Sequence, residues 1–184
     1  MTPILWILIA LVALVIIMFI SYYNRFVVLG NRIDNSLSQI DVQLKRRADL
    51  IPNLVEAVKG YMKHEKSIIQ AVTDARKVLV GAKGVEAKVK ADKKLEGALG
   101  KLFAIAESYP DLKANTNFLE LQRELSATED KVAYSRQFYN DSILSYNNIC
   151  KQFPGNVFAG IFGKKPREYL QIAESERKKV EVKF

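Results

Sequence analysis

The sequence predicts an all-α protein: an N-terminal transmembrane helix continuing into a long antiparallel bundle of three or four helices. Three observations predict it. An unbroken apolar run, Ile4 to Ile20, precedes the first charged side chain, Arg25. Beyond it, apolar residues recur every three or four positions through long stretches, the spacing of one helix face. The 184 residues also include only five prolines and nine glycines, which favours long helices over strands and turns.

The first element is the apolar run. Seventeen helical residues rising about 1.5 Å each span roughly 26 Å, close to the thickness of a bilayer's hydrocarbon core. Ile4, Leu5, Trp6, Ile7, Leu8 and Ile20 belong to this anchor, and Trp6, Tyr22 and Tyr23 suit the two headgroup levels. A cleaved signal would need a basic start and an Ala-x-Ala site, and neither Met1-Thr2-Pro3 nor Ser21-Tyr22-Tyr23-Asn24 supplies one. A permanent anchor over residues 1–24 is therefore expected. Arg25, Arg32 and Lys45-Arg46-Arg47 follow the run, so the positive-inside bias places the bundle in the cytoplasm of a single-pass inner-membrane protein.

The bundle is expected over residues 25–154. Its first helix carries the seam Ile33, Leu37, Ile40, Leu44, Ala48, Ile51, Val55, Val58 and Met62. Pro52 removes one backbone donor, so a kink or a restart after Asp49 is expected, with Asn53 placed to satisfy the carbonyls it frees. A second segment, about Glu65 to Glu107, is striped by Ile69, Val72, Leu79, Val89, Leu95, Leu99, Leu102 and Ile105. Gly81-Ala82-Lys83-Gly84 weakens its middle and can split it in two. Tyr109-Pro110-Asp111 ends it.

A third segment, about Asn115 to Gln152, has the seam Phe118, Leu121, Leu125, Thr128, Val132, Ser135, Tyr139, Ile143, Tyr146 and Ile149. Asn115 or Thr116 can cap it. Counted as three passes, up, down and up, these segments put the apolar stretch Val157 to Phe162 at the membrane-distal tip. That stretch, with Phe158, Ile161 and Phe162, is a cap, a subunit contact, or a partner or lipid site. Gly155, Ala159 and Gly163 recur every four residues and allow close helix approach. Residues 155–184 thus form an apolar tip segment and a mixed-charge tail whose last dozen residues are expected to be mobile.

The formal net charge is +8 and is unevenly placed. Lys59 to Lys101 holds eleven basic and five acidic residues, whereas Asn115 to Gly163 holds four basic and five acidic. A basic stretch serves as a solvated face or as a contact for anionic lipid. No nucleic-acid-binding motif accompanies it. Catalysis is not expected either. His64 is the single histidine, and His64-Glu65 lacks the second histidine of a zinc-protease helix. Cys150 lies on an apolar seam and reads as a small core residue; alone, it cannot form an intramolecular disulfide. No phosphate loop, metal site, cofactor or small-molecule substrate is indicated.

The stretch Gln39 to Arg47, followed by Asp49-Leu50-Ile51-Pro52-Asn53-Leu54-Val55, resembles the most distinctive block of the bacterial LemA family. Val58-Lys59-Gly60-Tyr61 and His64-Glu65 extend the likeness. Tyr109 to Ala114, Phe118 to Gln122, Tyr139-Asn140, Tyr146-Asn147 and Phe153-Pro154 continue it. The resemblance implies a single-span membrane protein with a long antiparallel helical bundle. It supplies no catalytic residue. Lys45, Arg46, Arg47, Asp49, Pro52 and Asn53 are the candidate interaction residues of that block; they stabilise a kink through pairs such as Arg46 or Lys45 with Asp49, or form a docking face.

Two functions follow as expectations. One is a scaffold or adaptor of the cell envelope, with a second copy or an envelope protein as partner. The other is direct binding and organisation of membrane lipid through the basic helix and the apolar segment.

Overall fold

The computed structural model describes residues 3–170. All its regular elements are helical: α1 (Pro3–Lys59), α2 (Lys66–Gly81), α3 (Val85–Ala106), α4 (Pro110–Lys113), α5 (Thr116–Lys151) and α6 (Gly155–Ile161). Four are long, matching the split form of the bundle. The expected tail is described only to Leu170, and its last dozen residues lie outside the described residues. The chain forms two compact units, one of Met1–Ser36 with Phe138–Phe184, the other Leu37–Gln137. α1 and α5 contribute to both.

α1 begins with the apolar run. An 18-residue stretch of it has a mean hydropathy of 3.2 and no residue buried against the rest of the chain. Ile4, Trp6, Ile7 and Leu8 are all well exposed, as a lipid-facing helix requires. This is a candidate membrane span.

The helix then continues through Pro52 without the expected restart. Proline at 52 leaves the carbonyl of Ala48 without its usual donor. The Nε of Arg76, on α2, donates to that oxygen at 2.7 Å. An interhelical bond replaces the missing intrahelical one, so the helix persists. Asn53, expected to do this, is exposed on the other side.

In the unit Leu37–Gln137 the Gly81–Gly84 break is a reversal. Gly84 has φ of +81°, a left-handed conformation that suits glycine at a tight turn. α2 and α3 therefore form a hairpin, and the Tyr109 hydroxyl after α3 reaches back to Glu65 before α2 at 3.2 Å. α3 runs parallel to α1, with Lys88 beside Asp41 and Asp92 beside Arg47. After α4, whose first residue is Pro110, Asn115 accepts the Phe118 amide at 3.0 Å and caps α5. Asn115 also donates to Tyr61. The first part of α5 then runs antiparallel to α1, pairing Glu124 with Arg46.

The core follows the predicted seams with local shifts. Ile40, Leu44, Ala48, Ile51, Val58, Leu95, Leu99, Leu102, Leu125 and Val132 are buried, while Leu54 replaces Val55 and Ile68 replaces Ile69 on the inner face. Thr128 is buried on α5, and its hydroxyl donates to the Leu125 carbonyl at 2.7 Å, so it costs no unpaired polar group.

In the unit Met1–Ser36 with Phe138–Phe184, α5 again lies antiparallel to α1. Arg32 sits over the Phe138 ring and Phe26 packs edge-on against Tyr146. α6 then packs on the end of the apolar run, through Phe158 and Phe162 against Phe19, Tyr22 and Tyr23. This corrects the expected distal tip. A middle segment that reverses adds one pass, so the last long helix runs back toward the anchor instead of away from it.

Candidate functional site

The sequence candidates do not converge on one site. They fall into a buried ionic centre, a surface groove and an aromatic cluster beside the candidate span.

The ionic centre is built on Arg47, which is 1% exposed. It lies one turn from Leu44 and from Ile51, on the inward stripe of α1. A guanidinium there needs carboxylate partners. Asp92, on the inward face of α3, accepts from Nη1 at 2.8 Å, and Glu129 of α5 accepts from Nη2 at 2.9 Å. Burial pushes the Asp92 carboxyl above its usual value, against the pull of Arg47. Burial also raises Glu129, more weakly enclosed at the edge of the cluster. The Arg47 centre joins three helices by charge. The expected local pairs with Asp49 do not form it: Arg46 bonds Glu124 across to α5, and Asp49 stays exposed.

The groove has a volume of about 450 Å³ and runs beside α1, α2 and the start of α3. Leu44, Ala48, Leu79, Val42 and Val80 supply an apolar floor and wall. Asp41, Lys45, Asp49, Arg76 and Lys88 supply a rim of both charge signs. Val42 and Val80 are 61% and 63% exposed, high for branched apolar side chains. Of the distinctive sequence block, Lys45 and Asp49 thus face the groove, Arg47 faces the core and Pro52 explains the Arg76 bond.

The aromatic cluster joins α6 to α1. Tyr22 stacks on Phe158 with ring centres 4.7 Å apart, and Phe162 meets Phe19 edge-on at 4.8 Å. Gly155 lets α6 start close to α5, since a Cβ there would overlap the Ile149 carbonyl. Gly163 has a different role from close approach. It ends α6 at φ of +62°, while the Lys164 amide bonds the Ala159 carbonyl at 2.8 Å and its own amide bonds Gly160. That is a glycine helix cap.

Past the cap, two asparagines of α5 hold the chain. Asn147 donates to the Arg167 carbonyl at 2.8 Å and accepts the Arg167 amide at 2.7 Å. Asn140 does the same for Leu170 at 3.2 and 3.0 Å. Each side-chain amide thus pairs with backbone as a strand would. Arg167 also reaches Asp34 and the face of Tyr146. In the sequence Asn140 and Asn147 stand only as parts of a motif; the available signal is a carboxamide on the inward face of a helix, two turns from another. Asn147→Ala removes two bonds and is expected to cost about 1–3 kcal/mol. Trypsin cleavage after Lys164 and Arg167 should then accelerate relative to cleavage after Lys63.

Catalytic geometry is sparse. Among the described residues no group of three or more His, Cys, Asp or Glu is placed to hold a metal ion. Burial raises the Cys150 thiol, which keeps it protonated and unreactive at neutral pH. His64 is exposed in the turn before α2.

The sequence profile of the LemA family matches residues 36–184. The chain belongs to the LemA family. Three named relatives are similar to it. Magnetosome protein MamQ 2 of Paramagnetospirillum magneticum is 28% identical over 175 residues, covering 81% of this chain and 64% of the relative. Magnetosome protein MamQ of Magnetospirillum gryphiswaldense is 29% identical over 174 residues, covering 80% and 64%. Protein LemA of Metamycoplasma hominis is 29% identical over 157 residues, covering 83% and 70%. The chain therefore spans just under two thirds of the length of the MamQ proteins. In this LemA-family chain the profile begins at Ser36, beyond the apolar run, and takes in the ionic centre, the groove, the asparagine pair and α6.

Proposed function

We propose that this LemA-family protein is a single-pass, membrane-anchored scaffold of the bacterial cytoplasmic membrane, acting through protein contacts of its helical bundle. The bundle faces the cytoplasm, on the strength of Arg25 and Arg32 beside the span. The groove of α1, α2 and α3 carries the reading. It has the anatomy of a protein interface: an apolar centre with exposed valines and a rim of both charge signs. The partner is an envelope protein or a second copy.

The test is a photo-cross-linking residue at Val80 of the full-length protein in native membranes. A discrete adduct is expected, and its mass separates a second copy from another protein. Val42→Lys should reduce its yield about tenfold, as loss of a central apolar contact does. Absence of any adduct from position 80 or position 42 would sink the scaffold reading.

The lipid-organising alternative is favoured less by the basic stretch than its composition suggests. Lys77 pairs with Asp74 and Lys88 with Asp41, so part of that charge is already engaged. The position of α6 speaks for lipid contact more directly.

A further inference from the structure

We infer that α6 is a second membrane contact, an interfacial foot that enters the headgroup region of an anionic lipid surface beside the apolar run of α1. The inference rests on the proposed function only in taking that run as membrane-spanning.

α6 is apolar on two sides. Gly155, Phe158 and Ala159 are buried. On the other side Val157 and Ile161, one turn apart, are 51% and 60% exposed, and Phe153 just before the helix is 84% exposed. A helix of seven residues turning one apolar side inward and another to water has an uncovered surface.

Its position says what covers that surface. Phe158 and Phe162 both contact Phe19, a residue of the apolar run, one position before its last residue, Ile20. They also contact Tyr22 and Tyr23, directly beyond it. If the run spans the bilayer, α6 lies level with the boundary between acyl chains and headgroups. Aromatic and aliphatic side chains at that level bind lipid favourably.

The charge pattern agrees. From Lys151 to Arg167 there are four basic residues and no acidic one. Lys151, Lys164 and Lys165 are exposed. The last two are held in place, because Lys164 closes the α6 cap and Asn147 grips Arg167. Cations flanking an apolar helix face are the pattern of an element that lies in an anionic interface. A protein partner would not require that height or that single sign of charge.

The experiment uses full-length Cys150→Ala protein in lipid nanodiscs, with one polarity-sensitive fluorophore on a cysteine at position 161 or 153. Ile161 and Phe153 are exposed, so neither label disturbs the core. Reference probes sit at positions 9 and 80. With lipids brominated near the glycerol end of the chain, the probes at 161 and 153 should be quenched at least threefold more than the probe at 80. Quenching should increase when neutral phosphatidylcholine is replaced in part by phosphatidylglycerol. Each change of Lys151, Lys164 or Lys165 to glutamine should lower the docked-to-undocked ratio about fivefold.

A probe at 161 quenched no more than that at 80, while the probe at 9 is strongly quenched, overturns the foot and leaves the anchor standing. A probe at 161 shielded from aqueous iodide yet not reached by brominated lipid also overturns it, in favour of a protein cover. If the probe at 9 is not quenched, the anchor itself is refuted.

Discussion

Arg47→Leu is expected to destabilise the protein by about 3–5 kcal/mol, the largest effect of any single charge removal. Leucine can occupy much of the space but cannot answer Asp92. That carboxylate, 8% exposed at its side chain, would be left without its guanidinium. Glu129 would suffer less, because its side chain is 49% exposed and water can replace the lost partner. The double substitution Arg47→Leu with Asp92→Leu should recover most of the loss, as apolar replacement of a buried pair often does. Urea denaturation of the full-length protein in detergent separates the cases by their midpoints.

The same variants should differ in pH dependence. A carboxyl raised in the folded state contributes stability that is full below its unfolded value, near 4, and is lost as pH rises through its folded value. Asp92 is such a group, raised by burial and pulled down by Arg47. Removing Arg47 takes away the opposing pull. The loss of stability with rising pH should then extend to higher pH in Arg47→Leu, and vanish from this source in the double variant. A pH-independent difference between them would contradict the assignment.

Phe158→Ala is the second large effect, about 3–5 kcal/mol for an aromatic side chain removed from a packed site. Its ring meets Phe19, Tyr22 and Phe162. Phe162, just past the helix, meets four aromatic rings but is less buried. The cost should appear as local opening: faster amide exchange over residues 155–161 and faster proteolysis near Lys151. Ile161→Ala, on the exposed side, should change stability by less than about 0.5 kcal/mol. Equal effects of the two substitutions would mean that α6 does not pack on α1 as described.

Much of this molecule could be read from its residues. The apolar run, the three seams, the asparagine cap before Phe118 and the stops at Pro110 and Pro154 are local signals, and each falls where periodicity and turn chemistry put it, save for one-residue shifts such as Ile68 for Ile69. What could not be read was how the segments pair. Glycines at 81 and 84 announce a break but not whether the chain bends or reverses, and that one alternative decides at which end α6 lies. Arg47 was legible as basic but not as buried, because its partners are 45 and 82 residues away in the chain. Periodicity would place both Arg47 and Asp92 on inner stripes; two opposite charges on facing stripes are the clue that an isolated helix cannot give. Pro52 was a breaker by every local rule, and only Arg76 on another helix explains why α1 continues.

Those separations bear on biosynthesis. Arg46 waits 78 residues for Glu124, Arg47 waits 82 for Glu129, and Asp34 waits 133 for Arg167. Synthesis proceeds at about 5–20 residues per second, so the side of α1 that faces α5 stands uncovered for roughly 4–16 seconds before Glu129 exists. The α2–α3 hairpin, closed by a three-residue turn, can form as soon as it is made. Of the helices described, α1 is thus the one that waits longest for its partners. A nascent chain of this protein would need most shielding at α1.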